Sequence, residues 1–111
     1  MSPSHPASKL QINDLIRNFE VCLRSGYSIS QAFEILAKDL ADPAGHELKS
    51  VSEELKNGAK LDKVLDDWLE RSPNSDLDLF IATIKVQREV GGNLADKLRL
   101  LNQIMTHRKG V

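Results

Sequence analysis

The chain has 111 residues, 41% hydrophobic and 28% charged, with a formal net charge of -1. That length suits one small domain, and that balance excludes a disordered tail and argues against a dedicated nucleic-acid binder, which would carry a basic excess. Aromatics make up 5% and Cys22 is the sole cysteine, so the core has to be mainly aliphatic and no internal disulfide can form.

Met1–Ser8 holds two prolines and three serines before any apolar period begins and reads as a flexible leader, with a single all-helical domain over residues 9–109. The leader lacks the apolar centre of a signal peptide, and no apolar run approaches the ~18 residues needed to cross a bilayer. The chain as given is therefore expected to be soluble. From Leu10 a helical period appears, with Ile12, Leu15, Ile16, Phe19, Cys22 and Leu23 on one face. Cys22 reads as a small core residue rather than a reactive thiol. Gly26 ends this first helix, and Ser28 with Gln31 forms a capping box for a second helix carrying Ile29, Ala32, Phe33, Leu36 and Leu40.

Asp42-Pro43 reads as a cap followed by proline at the first position of helix three, which turns Leu48, Val51 and Leu55 inward and stops at Gly58. Helix four carries Leu61, Val64, Leu65, Trp68 and Leu69. After the loop Ser72–Ser75, Ser75 with Asp78 offers a capping-box-like start to helix five, which carries Leu77, Phe80, Ile81 and Ile84. The Gly91-Gly92 pair supplies the left-handed conformation that ends helix five, Asn93 caps the next helix, and Asp96 lies in its first turn. Helix six carries Leu94, Leu98, Leu101 and Ile104 and ends near the basic His107-Arg108-Lys109.

The glycine stops Gly26, Gly58 and Gly91 are 32 and 33 residues apart, and the apolar positions around them recur. Phe19, Val51 and Ile84 stand seven residues before each stop, and Phe33, Leu65 and Leu98 seven after. The pattern predicts an all-α fold of six helices in three helical hairpins. A compact bundle is favoured over a solenoid because the common helical-repeat signatures are absent, although periodicity alone allows both.

Two positions break the repeat. Where the first two copies have Leu23 and Leu55, the third has Arg88; where they have Ala32 and Val64, it has Lys97. A local violation of pattern points towards function. The alternative is that both stems lie on the core with their charges outward, paired with Glu89 and Asp96. Helix four is acidic through Asp62, Asp66, Asp67 and Glu70, as a solvated face or a docking patch would be. Arg88, Glu89, Asp62, Asp66, Asp67 and Glu70 are therefore the candidate partner contacts, and Gly26, Gly58, Gly91 and Gly92 the structural hairpin glycines.

No chemistry emerges from the spacing. His5, His46 and His107 lack metal-ligand spacing, no EF-hand loop is present, and no P-loop, GxSxG or HExxH motif occurs. Neither a cofactor nor catalysis is expected, and an interaction module is the natural reading.

The stretch Gln87-Arg88-Glu89-Val90-Gly91-Gly92-Asn93-Leu94-Ala95-Asp96, with Leu98 after it, resembles the signature of the type II secretion system F domain, closest to the branch found in tight-adherence (Tad/Flp) pilus systems, in proteins of the TadB and TadC kind. Leu23–Ile29, Ala32, Leu36, Leu55, Gly58, Leu61, Leu65, Asp76-Leu77, Phe80 and Arg108 fit the same pattern, so the resemblance runs from about Leu10 to near the end. Lys97 departs from it, since the family has an apolar residue there.

The resemblance implies a six-helix domain on the cytoplasmic face of the bacterial inner membrane, part of a platform protein that couples a secretion ATPase to the assembly of pilin subunits. It implies a membrane helix after the basic end, where positive charge marks the cytoplasmic flank. The expected partners are the ATPase, other inner-membrane secretion components and, through the full-length protein, pilins; nucleic acid is not expected, and a homo-oligomer is left open. The competing readings are a free-standing helical adaptor and, behind it, a helix-turn-helix DNA binder using Ser25–Ser28 as its turn.

Overall fold

Six apolar periods separated by stop signals become six helices. The computed structural model describes residues 11–110, so the leader over residues 1–8 lies outside the described part. The helices are α1 (Ile12–Arg24), α2 (Ile29–Asp39), α3 (Ala44–Lys56), α4 (Leu61–Arg71), α5 (Ser75–Val90) and α6 (Leu94–Gly110), with no strand among the described residues.

Local chemistry explains most of the boundaries. Ser28 Oγ accepts from Gln31 N at 3.1 Å and Gln31 Oε1 accepts from Ser28 N at 2.9 Å, the reciprocal capping box that opens α2. Asn93 Oδ1 accepts from Asp96 N at 3.0 Å at the head of α6. Two starts differ from the sequence reading. At α5 the cap is Asn74, whose Oδ1 accepts from Asp76 N at 2.8 Å and Leu77 N at 3.0 Å. That amide bridges the second and third helical N–H groups, so Ser75 is already inside the helix. At α3, Pro43 occupies the cap position and makes no side-chain cap bond, and its peptide bond with Asp42 is cis. Gly45 N donates to Ala41 O at 3.1 Å, so a backbone turn satisfies this end without the Asp42 carboxylate.

The core is one cluster drawn from all six helices. Phe19, Phe33, Trp68 and Phe80 meet at its centre, with Phe19–Phe33 ring centroids 4.9 Å apart and Phe19–Phe80 edge-on at 5.3 Å. The Trp68 indole stays satisfied because Nε1 donates to Glu47 Oε1 on α3 at 2.8 Å. The repeat positions Phe19, Val51 and Ile84, like Phe33, Leu65 and Leu98, are all buried.

The packing closes on itself. α2 packs most extensively on α3, and α1 packs on α6, so the first and last helices meet. An open solenoid would leave them apart; the fold is a bundle, consistent with three helical hairpins. Asn13 Nδ2 donates to Asn102 Oδ1 at 2.9 Å and Thr106 Oγ1 at 3.0 Å across the α1–α6 seam. That seam draws the inward line of α6 towards α1. Met105 is therefore fully buried and Ile104, expected inside, is 55% exposed. The α2–α3 seam is tight because Gly45 is buried against the end of α2, where an added Cβ would stand 2.3 Å from Leu40 O.

Candidate functional site

Three of the sequence-derived contact residues, Asp62, Asp66 and Arg88, meet at the seam between α4 and α5. Val64, Leu65 and Trp68 point α4 into the core, which leaves Asp62 and Asp66, one turn apart, on its flank. Leu77, Phe80, Ile81 and Ile84 do the same for α5 and leave Lys85 and Arg88 on the facing flank. The two helices run antiparallel, so acids and bases interlock. Arg88 Nη1 lies 2.8 Å from Asp62 Oδ1, and Lys85 Nζ is hydrogen-bonded to Asp66 Oδ1. The neighbours suggested by sequence, Glu89 and Asp96, are not the partners seen: Arg88 reaches across to α4, and Asp96 accepts from Arg24 on α1 at 3.0 Å. Interhelical geometry decides this, because adjacent residues on one helix diverge by 100° while flanks of neighbouring helices face each other.

The remaining acids of α4 divide. Asp67 pairs with Lys63 along the helix at 2.9 Å, and that hydrogen bond, with the charge behind it, raises the Lys63 pKa. Glu70 and Glu89 are exposed. Asp62 and Arg88, with Lys60 and Leu61, line a surface cleft of about 380 Å³. The six candidate contacts thus make a charged strip on α4 and α5 that is mainly acidic, with Arg88 among five carboxylates, Asp67 half-buried and the others exposed. Similar ion pairs tie other neighbours: Glu34–Lys56 at 2.9 Å joins α2 to α3, Glu54–Arg71 at 3.4 Å joins α3 to α4, and Asp76–Arg108 at 3.0 Å joins α5 to α6. The Lys56 hydrogen bond to Glu34 holds that carboxyl below its usual range.

The glycine turn lies beside this strip. Gly91 has φ 82° and ψ -170°, a region open essentially to glycine alone rather than the left-handed helical well expected from sequence. Gly92, Gly26 and Gly58 also have positive φ, so all four hairpin glycines sit where a Cβ is disfavoured. Gln87 Nε2 donates to Gly92 O at 2.8 Å and fixes the turn. Lys97 is half-buried, and its Nζ folds back to 3.0 Å from where a Cβ on Gly92 would stand, so the stem covers apolar surface while the charge escapes.

The stem of Lys97 is also one wall of a feature the sequence reading passed over. A groove of about 350 Å³ runs along the outer face of the last hairpin, lined by Leu79, Ala82, Val86, Leu100, Leu101 and Ile104 among others. Its walls are apolar side chains left outside the core. The available signal was Leu79, Ala82 and Val86 on helix five and Leu100 and Ile104 on helix six, a second stripe opposite or beside the inward one.

Among the described residues, no cluster of three or more His, Cys, Asp or Glu is placed to hold a metal ion, and no helix is long and apolar enough to cross a membrane. Residues 15–109 match the family model described as type II secretion system, protein F. No curated protein and no solved structure matches the chain.

Proposed function

The chain belongs to the type II secretion system protein F family, and from that premise we propose that it is the cytoplasmic domain of an inner-membrane platform protein in a Tad/Flp-type pilus assembly system. It couples a secretion ATPase to pilin assembly through protein–protein contacts and performs no chemistry of its own. The match over residues 15–109 carries the reading.

Two structural features support it. A bundle with one continuous core and ion pairs across most helix seams moves as a unit, as a part that transmits displacement has to. The strip of Asp62, Asp66, Asp67, Glu70, Arg88 and Glu89 offers a mainly acidic surface, which favours orientation and rapid docking of a charged partner more than raw affinity.

The test is titration of this chain against the ATPase encoded with it. Arg88→Ala, Glu89→Ala and Glu70→Ala are expected to weaken binding about 3- to 30-fold, with an on-rate that falls as salt rises. Unchanged binding in all three variants removes the strip from the proposal, and no binding by the unaltered chain removes the ATPase coupling.

A further inference from the structure

We propose that the cleft between α2 and α3 is a binding site for a terminal phosphate group, held by Lys38, Lys49 and the buried hydroxyl of Ser52. The proposal is independent of the secretion reading.

Helical spacing builds the cleft. Ala37 and Lys38 stand one turn beyond Glu34 on α2, and Lys49, Ser52 and Lys56 follow at i, i+3 and i+7 on α3, so each set shares one helix face. The two faces enclose about 320 Å³. Gly45 draws the helix backbones together at one end of this seam. Farther along, Ala37 and Ser52 are too small to fill the space between them.

Ser52 is the residue that calls for a ligand. It lines the cleft and yet is only 6% exposed, so its hydroxyl sits at the floor. It is the one buried polar residue among the described residues. Other helical hydroxyls bond the carbonyl one turn back, as Ser25 does to Val21 O at 2.9 Å and Thr83 to Leu79 O at 2.8 Å. The Ser52 hydroxyl makes no hydrogen bond among the described residues. A buried donor left unpaired is unfavourable, and an acceptor oxygen seated above it removes that cost.

Charge selects the acceptor. Lys56 is engaged with Glu34 at 2.9 Å, whereas Lys38 and Lys49 form no ion pair among the described residues. Their ammonium groups donate and cannot accept, as an anion requires. A terminal phosphate carries about -1.5 to -2 charge at neutral pH and three strong acceptor oxygens, enough for two lysines and a hydroxyl at once. A carboxylate offers half the charge and one oxygen fewer. The field of the cleft is already felt by Glu34. Its carboxyl is held below the usual range by the Lys56 hydrogen bond and charge first, and by the charge of Lys38 after them. Glu53 is exposed at the rim and opposes an anion, so affinity is expected at a Kd on the order of 1 mM.

Amide NMR during titration with inorganic phosphate, at constant ionic strength set with chloride, tests this. Ala37 and Ser52 are expected to shift saturably. Lys38→Gln and Lys49→Gln, both at exposed positions, should each weaken binding about 3- to 10-fold, and Ser52→Ala at least about threefold. Ser52→Ala should melt at or above the parent temperature, because alanine removes an unpaired hydroxyl and favours the helix. Its weaker binding is then not a loss of fold. Glu53→Gln should tighten binding. Two further probes assign the source of the phosphate, and either supports the site. Glycerol phosphate that displaces inorganic phosphate points to a free ester. Cosedimentation with phosphatidylcholine vesicles containing phosphatidic acid, absent without that lipid and lost in Lys49→Gln, points to a headgroup. Shifts that chloride alone reproduces overturn the proposal, as does phosphate binding that all three weakening variants leave unchanged. So does a Ser52→Ala chain that melts well below the parent, since its hydroxyl would then be serving the fold.

Discussion

Arg88 Nη1 lies 2.8 Å from Asp62 Oδ1, bridging α5 to α4 beside the Gly91 turn. The residue that most clearly breaks the hairpin repeat is thus engaged within the fold, with side chains 47% and 61% exposed. An ion pair this wet contributes about 0.2–1 kcal/mol and is screened by salt. A double-mutant cycle of Arg88→Ala and Asp62→Ala, read by denaturant unfolding at low and high salt, is expected to give a coupling in that range that shrinks with salt. The consequence is practical: neither variant unfolds the domain, so lost ATPase binding in either reports on docking rather than on stability.

The Glu47–Trp68 contact behaves differently. The indole is fully buried, and its N–H has the Glu47 carboxylate as partner at 2.8 Å. Removing the acceptor strands a buried donor, which costs about 1–3 kcal/mol. Glu47→Ala is expected to lower stability by that amount. Glu47→Gln keeps an acceptor oxygen and should recover more than half of the loss in the same urea titration.

Gly45 marks where α3 meets the end of α2. A methyl group there would stand 2.3 Å from Leu40 O and 3.3 Å from Ala37 O, both backbone atoms. Alanine normally favours a helix interior over glycine by about 1 kcal/mol. Here the two helix backbones would have to separate, at about 1–3 kcal/mol as for other overpacked sites. Gly45→Ala should therefore destabilise the protein, and a variant with a raised melting temperature would show that this seam is looser than its geometry.

Burial pushes the Cys22 thiol above its ordinary value of 9.0, and the negative charge of Asp39 adds to the shift. The native state holds the proton more tightly than the unfolded chain does. The associated stability is fully present below pH 9.0, where both states are protonated, and is lost as pH rises and the unfolded thiol ionises first. Melting temperatures measured from pH 7 upward should therefore fall more steeply for the parent than for Cys22→Ala above that value. Alkylation of Cys22 at pH 8 is expected to track unfolding rather than the free-thiol rate.

The sequence alone determined what is written within a turn or two of chain. Ser28 with Gln31 and Asn93 with Asp96 encode their helix starts through side chains that reach backbone N–H groups three residues on, and both are present as read. The 3.6-residue period placed Phe19, Phe33, Leu65 and Ile84 in the core because a helix buries one face wherever it packs. Asn74 outcompeted Ser75 because its amide reaches two N–H groups at once, a choice between adjacent residues that pattern cannot make.

Only the tertiary structure decided which faces meet. The closure of α1 on α6 joins residues some ninety apart, as in Asn13 with Asn102 and Thr106, and no local period carries that information. The same closure turned α6 enough to bury Met105 and leave Ile104 outside. Packing between neighbouring helices likewise set Arg88 against Asp62 and laid Leu79, Val86, Leu100 and Ile104 along one open groove. Helix formation is governed by neighbours in the chain; the rotation and register of packed helices are governed by the shape of a core that exists only once all six have assembled.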